Sequence, residues 1–519
     1  MLDEVPQNED RRLEASGDLQ QKKDWIQPLL LIVASLYLYV NLFTFPNVPF
    51  LLLGDQNFFW TYALRMLHGE RLYQDFFQFT PPGVDLVYLA FFRLLGPHIW
   101  VTNAVVLLLG VVLCGVCFHL AQRLMERRLA LLAALLFLVY VYADRLDATH
   151  HWFSLLAALC AVRVVMPART LPRIAIAGAL LGIASFLTQT TGVAGILALT
   201  ASLAWEHASG RRSWRTTLKQ LILLCIAFGL AWTVLSAPFI AHVGWKQLWY
   251  LQVTYPQNHV STREFLLPQF HRPLTRSLLW EQTLRLFLYL LLLGIYPPVL
   301  WYLWRRRREV PAPDLMQLVL LSMLGLSLLL EIITRVNWNR LYMASMPAIL
   351  LLLWSVARLG KQRRHISAAL WIVIASVAAG QVWSRQHTPH SIAWLPAGKA
   401  AVSTQSTEKF SWLLQHTRPG DLFLQGQGSD LYLPLELRSA TFVDYLWNNE
   451  VTRPEYVALT LQQMERQQVK YILWSQRLLS DSEQHSDGQD SLDPFRTFMT
   501  TRYRRVHVFA NGDEIWERR

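Results

Sequence analysis

The chain has few charged residues for its length. Only 16% of its 519 side chains are charged, whereas 53% are apolar, and a soluble globular protein has nearer a quarter charged. This shortage excludes an ordinary soluble domain and indicates a polytopic membrane protein. The net charge of +12 does not indicate nucleic-acid binding, because the arginines stand in short clusters between apolar runs, as they do in cytoplasmic loops.

Cysteine is also scarce, and its placement argues against a redox or zinc centre. All four cysteines lie inside apolar runs. Cys114 and Cys117 form a C-x-x-C pair, but no second pair and no strand–turn–helix pattern accompany it. We interpret the cysteines as small residues packed between helices. A small-residue cleavage site is missing as well, so we expect the first apolar run to be an uncleaved signal-anchor that follows 25 polar residues.

Long apolar runs, in contrast, are abundant. A helix needs about 20 apolar residues to cross the hydrocarbon core of a bilayer. The 21 tryptophans and 18 tyrosines fit aromatic belts at the ends of such helices. The candidate spans are 26–45, 99–122, 128–143, 150–166, 173–187, 190–206, 219–243, 283–304, 315–334, 341–359 and 366–384.

A twelfth apolar run, Val84–Gly96, decides the topology. If it crossed the bilayer, the basic cluster Arg123–Arg128 and every later cluster would lie outside; if it lies flat in the interface, they all lie inside. The run is short for a span and carries Asp85 and Arg93, as an interfacial amphipathic helix would. We therefore predict eleven spans, with the N-terminus in the cytoplasm and the C-terminus outside.

The predicted external loops hold the unusual polar residues, whereas the inner loops hold mostly arginine and lysine. We therefore expect any chemistry on the outer face. From about Pro396 the pattern changes to short strands such as "VKYILWS", which alternate with helical stretches. The expected parts are a cytoplasmic tail (1–25), a transmembrane catalytic domain (26–390) whose first external loop is 46–98, and a small extracytoplasmic α/β domain (396–519).

The first external loop carries an ordered series of features. Asp55 follows the first span, and the amphipathic stretch "YALRMLHGERLYQDF", a Pro-Pro-Gly and a short helix ending "RLLG" come next. This order resembles the GT-C superfamily of integral-membrane glycosyltransferases. It is most similar to the bacterial branch of the lipid A aminoarabinose transferase, the protein O-mannosyltransferases and the rhizobial lipopolysaccharide sugar transferases. The resemblance extends over essentially the whole chain and implies a polytopic α-helical GT-C fold of about 11 transmembrane helices, with interfacial helices in the first external loop.

The resemblance also implies a reaction and site residues. Such enzymes transfer a sugar from a polyprenyl-phosphate carrier to a lipid, glycan or protein on the outer face of the membrane. Their essential acid in the first external loop is matched by Asp55, and the "R-x-D" of the rhizobial-type branch is matched by Arg145–Asp147. The aminoarabinose transferase has Glu-Lys, whose Glu helps to hold a metal, where this chain has Thr80-Pro81. We therefore assign no metal ligand and no certain cofactor, and a divalent metal stays open.

The chemistry of sugar transfer selects further residues. Asp55 borders an aromatic, partly desolvated loop that would raise the pKa of its carboxyl and favour a role as base. The other interpretation, an N-cap for the helix beginning at Gln56, is compatible with that role. For the departing phosphate we expect Arg335 and Arg340, whose planar guanidinium groups suit phosphate oxygens, although interfacial snorkelling would also explain them. His259 is a further phosphate candidate.

Other polar residues of the outer face complete the candidate site, namely Asp75, Asp147, His150 and Tyr342. Asp147 with His150 and His151 could form a metal site. Adjacent histidines project in different directions, however, so we interpret them as a polar helix start.

We predict a membrane glycosyltransferase, a hexosyl- or pentosyltransferase, in the bacterial cytoplasmic (inner) membrane. Its expected partners are a polyprenyl-phosphate sugar donor, a lipid, glycan or protein acceptor, and membrane lipids, but no nucleic acid. The alternative is a multi-span lipid or glycan transporter or flippase. Transporters place ionisable residues near the bilayer midplane, where this chain has almost none.

Overall fold

The computed structural model describes residues 25–260, 291, 294–333, 341–448, 451–478 and 491–519. The apolar part of the chain is helical, and π-helical turns occur at Leu138–Tyr142, Tyr250–Thr254 and Pro256–Val260. The helices up to residue 387 are α1 (Ile26–Leu42), α2 (Gln56–Leu67), α3 (Gly83–Leu95), α4 (Ile99–Ala121), α5 (Arg127–Phe137), α6 (Ala143–Arg145), α7 (His150–Val165), α8 (Leu171–Leu187), α9 (Gln189–Ala208), α10 (Trp214–Val243), α11 (Trp245–Trp249), α12 (Tyr296–Arg305), α13 (Ala312–Ile333), α14 (Tyr342–Val356) and α15 (Gln362–His387).

Wherever the structure describes a predicted span, that span coincides with helix, although the first part of 283–304 lies outside the described residues. Three of these helices, α4, α10 and α15, are long and apolar enough by themselves to cross a membrane. Several shorter apolar helices accompany them, including α1, α7 and α8. The helical architecture predicted from the apolar runs is therefore confirmed, while the number of spans stays a prediction.

Helix α3 is the run on which the predicted topology depends. It has 13 residues, so at 1.5 Å per residue it is about 20 Å long, well short of the roughly 30 Å hydrocarbon core. One face, with Val84, Tyr88 and Phe92, is buried in the helical core, whereas Leu94 on the other face is 80% exposed. Such a helix is too short to span and has the two-faced pattern expected of an interfacial segment.

Two glycines set the spacing between α8 and α10. A Cβ at Gly178 would lie 2.6 Å from the Leu224 carbonyl oxygen, and one at Gly182 would lie 2.6 Å from that of Phe228. Both distances are shorter than van der Waals contact, so the two backbones can approach only because these positions lack side chains. Small residues four apart are a common means of packing helices in a membrane.

The C-terminal part combines a sheet with helices. Its strands are β3 (His390–Leu395), β4 (Gly398–Ser403), β5 (Leu422–Gln425), β6 (Arg438–Ser439), β7 (Tyr471–Trp474), β8 (Tyr503–Val508) and β9 (Glu514–Arg518), and its helices are α16 (Thr404–His416), α17 (Tyr432–Leu435), α18 (Pro454–Gln467) and α19 (Asp493–Arg502). A short hairpin, β1 (Phe43–Thr44) and β2 (Val48–Pro49), precedes them in the first loop.

The largest sheet has the strand order β6-β5-β7-β9-β8. Its β6, β5 and β7 are parallel, whereas β9 pairs antiparallel with both β7 and β8. Strands form where the sequence alternation predicts them, in "PGDLFLQ", "VKYILWS" and "RRVHVFANGDEIWE". The "GQGSD" stretch after β5 is a bend and turn, as its missing third glycine leads one to expect.

Backbone hydrogen bonds join the C-terminal part to the first loop. The Leu51 amide donates to the Ala401 carbonyl at 2.9 Å, and the Ile99 amide donates to that of Ala397 at 3.1 Å. On α2 the Thr61 hydroxyl donates to the Ser429 carbonyl at 3.1 Å. The two parts thus enclose a space above the ends of α7 and α14, and the candidate site lies there.

Candidate active site

Asp55 opens onto a cavity of about 560 Å³ between the first loop, the start of α7 and the C-terminal part. It directly precedes α2, but its side chain makes no capping hydrogen bond. The N-cap interpretation is therefore not what the structure shows. Gly54 has φ +127° and its Cβ position is empty, so the backbone turn, and not a lack of room, is what requires glycine there.

The second loop brings Arg145 and Asp147 to the same cavity. The π-helical turn Leu138–Tyr142 precedes them, and Leu146 between them has φ +35°, an uncommon conformation for a leucine. This loop is tied to the first one, because the Ala148 amide donates to Gln56 Oε1 at 3.2 Å. The Arg-x-Asp pattern thus stands beside Asp55, although 90 residues of chain separate the two.

Asp147 is the carboxyl whose protonation changes near neutral pH. Burial raises its pKa to about 7; Arg145 acts in the opposite direction, the negative charge of Asp55 adds to the rise, and the Trp152 and Thr149 side chains lower it. At neutral pH the Asp147 side chain can therefore be a neutral hydrogen-bond donor for part of the time.

The histidines and Tyr342 form an aromatic wall of the cavity. His150 and His151 both line it, with ring centroids 4.0 Å apart, and Phe59 packs 5.2 Å from His150. Tyr342 lies 4.3 Å from the Trp152 ring. Within the described ranges no three His, Cys, Asp or Glu side chains are spaced to hold a metal ion, and Thr80 lines the cavity.

The C-terminal part supplies the opposite wall with Asp444, Tyr445 and Trp447. Asp444 forms a buried ion pair with Arg65 of α2, with 2.6 Å between Oδ1 and Nη1. Arg65 also contacts Glu70 at 2.6 Å. Sequence reasoning missed these wall residues, because nothing local distinguishes "VDYLW" from an ordinary loop.

An apolar groove of about 480 Å³ lies next to the cavity. Its side chains are mostly aliphatic and aromatic, including Trp232, Trp245 and Trp249. Hydrogen bonds connect the walls of the two spaces: Gln252 lines the groove, and its Nε2 donates to the Tyr73 hydroxyl at 3.0 Å. Tyr73 in turn donates to the carbonyl of Thr80, a residue of the cavity, at 2.7 Å.

The structure brings together four of the predicted site residues, namely Asp55, Asp147, His150 and Tyr342. His259 does not line the cavity, but its ring lies 5.0 Å from that of the lining residue Tyr255, and its Nε2 is 3.3 Å from Arg453 Nη1. Asp75 does not join the cavity; it is exposed in a turn, where its carboxylate accepts a 2.7 Å hydrogen bond from the Arg71 amide. Arg335 and Arg340 lie outside the described residues.

Comparison with known proteins defines the class. The sequence profile of the family described as dolichyl-phosphate-mannose-protein mannosyltransferase matches residues 80–236, less than a third of the chain. The solved structures that resemble this one include GT-C glycosyltransferases at TM-scores above 0.5. The chain therefore has the fold of the GT-C glycosyltransferases, a class of integral-membrane proteins, and the resemblance predicted from the sequence is confirmed.

Two of these structures illustrate the similarity. ArnT from Cupriavidus metallidurans, solved bound to undecaprenyl phosphate, has a TM-score of 0.55 at 14% identity, covering 95% of this chain and 97% of that one. The second is the archaeal oligosaccharyltransferase AglB from Archaeoglobus fulgidus, solved in complex with an inhibitory peptide and a dolichol-phosphate. It has a TM-score of 0.54 at 12% identity, and the match covers 87% of this chain and 69% of that one. The comparison with curated proteins gives no significant match.

Proposed function

We propose that the protein transfers a sugar from a polyprenyl-phosphate carrier to a lipid, glycan or protein acceptor on the outer face of the bacterial cytoplasmic membrane, with Asp55 as the catalytic base. The observation that carries this proposal is the arrangement of the cavity. The Asp55 side chain, which makes no capping hydrogen bond, lines the same cavity as a guanidinium and a second carboxyl, and an apolar groove lies nearby. Base, phosphate-binding cation and lipid site are the three parts that such a transfer needs.

In the proposed step the acceptor hydroxyl gives its proton to the Asp55 carboxylate. The acceptor oxygen forms a bond to the anomeric carbon of the sugar, and the bond from that carbon to the phosphate oxygen breaks. The electron pair of that bond stays on the phosphate, which leaves as polyprenyl phosphate. Asp55 then returns its proton to water. A base positioned in this way contributes about 10²- to 10⁴-fold to a rate.

The departing phosphate gains negative charge, which Arg145 is placed to stabilise. Its guanidinium lines the cavity with Asp147, and arginine can bind phosphate oxygens with two parallel hydrogen bonds. We assign neutral Asp147 a hydrogen bond to the same phosphate. Arg335, Arg340 and His259 keep the phosphate-binding role proposed for them from the sequence.

The apolar groove is the proposed site of the carrier chain. Its lining side chains Val193, Leu197, Trp245 and Trp249 are 48–50% exposed, and surfaces of this kind mark binding sites for apolar ligands. Hydrogen bonds through Gln252 and Tyr73 connect the wall of the groove to Thr80 of the cavity, and we propose that a tail in the groove places its phosphate in the cavity that Arg145 lines. That ArnT was solved with undecaprenyl phosphate and AglB with a dolichol-phosphate supports this class of donor.

The proposed placement has a cytoplasmic tail (1–25), a catalytic membrane domain (26–390) and an extracytoplasmic C-terminal domain (396–519) that closes the cavity. The rival function, a transporter or flippase, would also bind a lipid-linked sugar in the groove. A transporter moves its substrate without breaking the bond between sugar and phosphate. Only the transferase therefore needs Asp55 as a base.

The test uses a strain without the protein, complemented with wild type, Asp55→Asn or Asp421→Asn. Asp421 is a matched control, because it is exposed and accepts a hydrogen bond from the Arg418 amide far from the cavity. We expect Asp55→Asn to match the deletion strain, with lipid-linked sugar accumulating and one surface glycan lost, whereas Asp421→Asn matches wild type. Mass spectrometry of lipids and glycans measures both. Normal glycans with Asp55→Asn would refute the proposal.

A further inference from the structure

Asp444 has an oxygen that nothing in the described structure uses. Its side chain is completely buried. Oδ1 accepts hydrogen bonds from Arg65 Nη1 at 2.6 Å and from the Ser439 hydroxyl, whereas Oδ2 has no hydrogen-bond partner among the described residues. A buried carboxylate oxygen without a donor is costly, and this residue lines the cavity.

The residues that follow supply aromatic surface at the same wall. Tyr445 and Trp447 line the cavity half-buried, with ring centroids 4.8 Å apart. Phe58 of α2 packs edge-on against Tyr445 at 4.9 Å. Burial raises the pKa of Tyr445, and the negative charge of Asp55 adds to the rise. The aromatic side chains and the proposed catalytic base Asp55 therefore line one cavity.

The segment is held rigidly in this position. The Leu446 amide donates to the Gly426 carbonyl at 2.9 Å, and the Trp447 amide donates to the Thr452 hydroxyl at 2.6 Å. Together with the Arg65–Asp444 pair these bonds fix the wall from both sides. A binding site gains affinity when its groups are already in place before the ligand arrives.

We propose that Val443–Trp447 is a sugar-binding subsite, in which Asp444 Oδ2 accepts a hydrogen bond from a ring hydroxyl and Tyr445 and Trp447 contact the apolar face of the ring. This rests on the proposed function and specifies which part of the chain recognises the sugar. Arg65 already compensates the charge of Asp444, so the second oxygen suits a neutral hydroxyl and not a cation. The sugar belongs either to the donor or to the acceptor, and the chemistry of recognition is the same.

The experiment measures binding with the full-length protein in nanodiscs, in an Asp55→Asn background that stops turnover. The probes are the methyl glycosides of glucose, mannose, galactose and arabinose, undecaprenyl phosphate, and undecaprenyl phosphate carrying the same sugars. Trp447→Ala, Tyr445→Phe and Asp444→Asn are compared with Trp394→Ala, a matched control because Trp394 is 72% exposed on β3. Melting temperatures establish that each variant is folded, and Trp447→Ala tests the site if Asp444→Asn does not fold, whereas Tyr445→Phe keeps the aromatic ring and is expected to bind sugar as the parent does.

We expect Trp447→Ala and Asp444→Asn each to weaken sugar binding about tenfold, the scale of one aromatic contact or one charge-assisted hydrogen bond, and to leave binding of bare undecaprenyl phosphate unchanged. Weakened binding of the glycosides alone assigns the subsite to the acceptor, and weakened binding of the sugar-loaded carrier assigns it to the donor. Equal binding in all folded variants, or no sugar bound by the parent protein, overturns the subsite.

Failure of the subsite and failure of the proposed reaction can be told apart. Loss of sugar binding in Trp447→Ala would support the subsite even if cells with Asp55→Asn kept normal glycans, which would refute only the reaction. Conversely, glycan loss with Asp55→Asn and unchanged sugar affinity in the wall variants would refute only the subsite.

Discussion

Asp55 and Asp147 share one cavity but differ in their surroundings. Asp55 follows a glycine at the rim of the first loop, whereas Asp147 is held beside Arg145, Thr149 and Trp152 in the second. Enzymes often divide acid and base roles between two carboxyl groups through such differences in environment. In the proposed reaction Asp55 accepts a proton and Asp147, with a pKa of about 7, provides one for hydrogen bonding.

The raised pKa of Asp147 predicts how stability depends on pH. Between pH 3.8, the ordinary pKa of an Asp carboxyl, and about pH 7, the Asp147 carboxyl is protonated in the folded protein and ionised in the unfolded chain. Stability from this group is therefore present below pH 4 and is lost as the pH rises to 7, by at most about 1.4 kcal/mol per pH unit. We expect Asp147→Asn, which cannot ionise, to melt higher than wild type above pH 7, with the difference shrinking toward pH 4.

Fluorescence-detected melting of the purified protein between pH 4 and 8 measures this difference. Asp421→Asn serves as control, because its carboxylate lies in an exposed turn. A difference between Asp147→Asn and wild type that stays constant over the whole range would contradict the prediction.

At the scale of elements, the cavity depends on how α2 is held. One face of α2 packs on the helical core, and Arg65 near its end reaches the C-terminal part, where Nη1 contacts both Asp444 and the Thr441 carbonyl. Arg65 also lies over the Phe76 ring at 4.5 Å. This one side chain therefore joins the first loop, the aromatic stretch after it and the wall of the cavity.

Removing Arg65 should loosen that junction. Arg65→Ala leaves Asp444 buried without its cation, and the loss of one partner of a buried pair costs about 3–5 kcal/mol. We expect a clearly lower melting temperature and faster hydrogen exchange in both α2 and 439–447. Arg71→Ala is the control, since Arg71 is exposed and such surface changes cost about 0.5 kcal/mol or less. Equal melting temperatures for the two variants would show that the pair contributes nothing to the junction.

For the whole molecule, the orientation of the chain in the membrane determines on which side the candidate site lies. The C-terminal part, the first loop and the candidate site lie together. Helix α12 ends at Arg305 in a basic cluster, and Glu309 follows that cluster. If this basic end faces the cytoplasm, the site faces outward, where polyprenyl-linked sugars would be used. The proposed function therefore requires one particular orientation in the membrane.

Cysteine labelling tests this orientation. We expect Asp421→Cys to react with a membrane-impermeant maleimide in intact spheroplasts, and Glu309→Cys to react only after the membrane is permeabilised. Both positions are exposed, so the membrane and not the fold determines access. The parent protein, with its four native cysteines, gives the background. The reverse labelling pattern would place the site in the cytoplasm and exclude the proposed reaction there.

The predictable features are those carried by local patterns. Apolar runs predict helices because a helix in lipid must satisfy its own backbone and cover itself with apolar side chains, and α1, α4 and α10 form where expected. Asp55 was found through its position in an ordered loop. Asp75 was equally polar and equally external in the sequence, but it lies in an exposed turn, a difference that no local pattern contains.

The order of hydrophobic and basic segments by itself determined that this is a membrane-embedded helical chain with a mixed α/β end, since solvation acts on each segment separately. Only the tertiary structure decided that Asp55, Asp147 and Asp444, which are distant in sequence, surround one cavity. It also decided that burial raises the pKa of Asp147. Proximity and desolvation arise from packing between segments, and a carboxyl acquires its chemical character only when neighbours from elsewhere in the chain remove water from it.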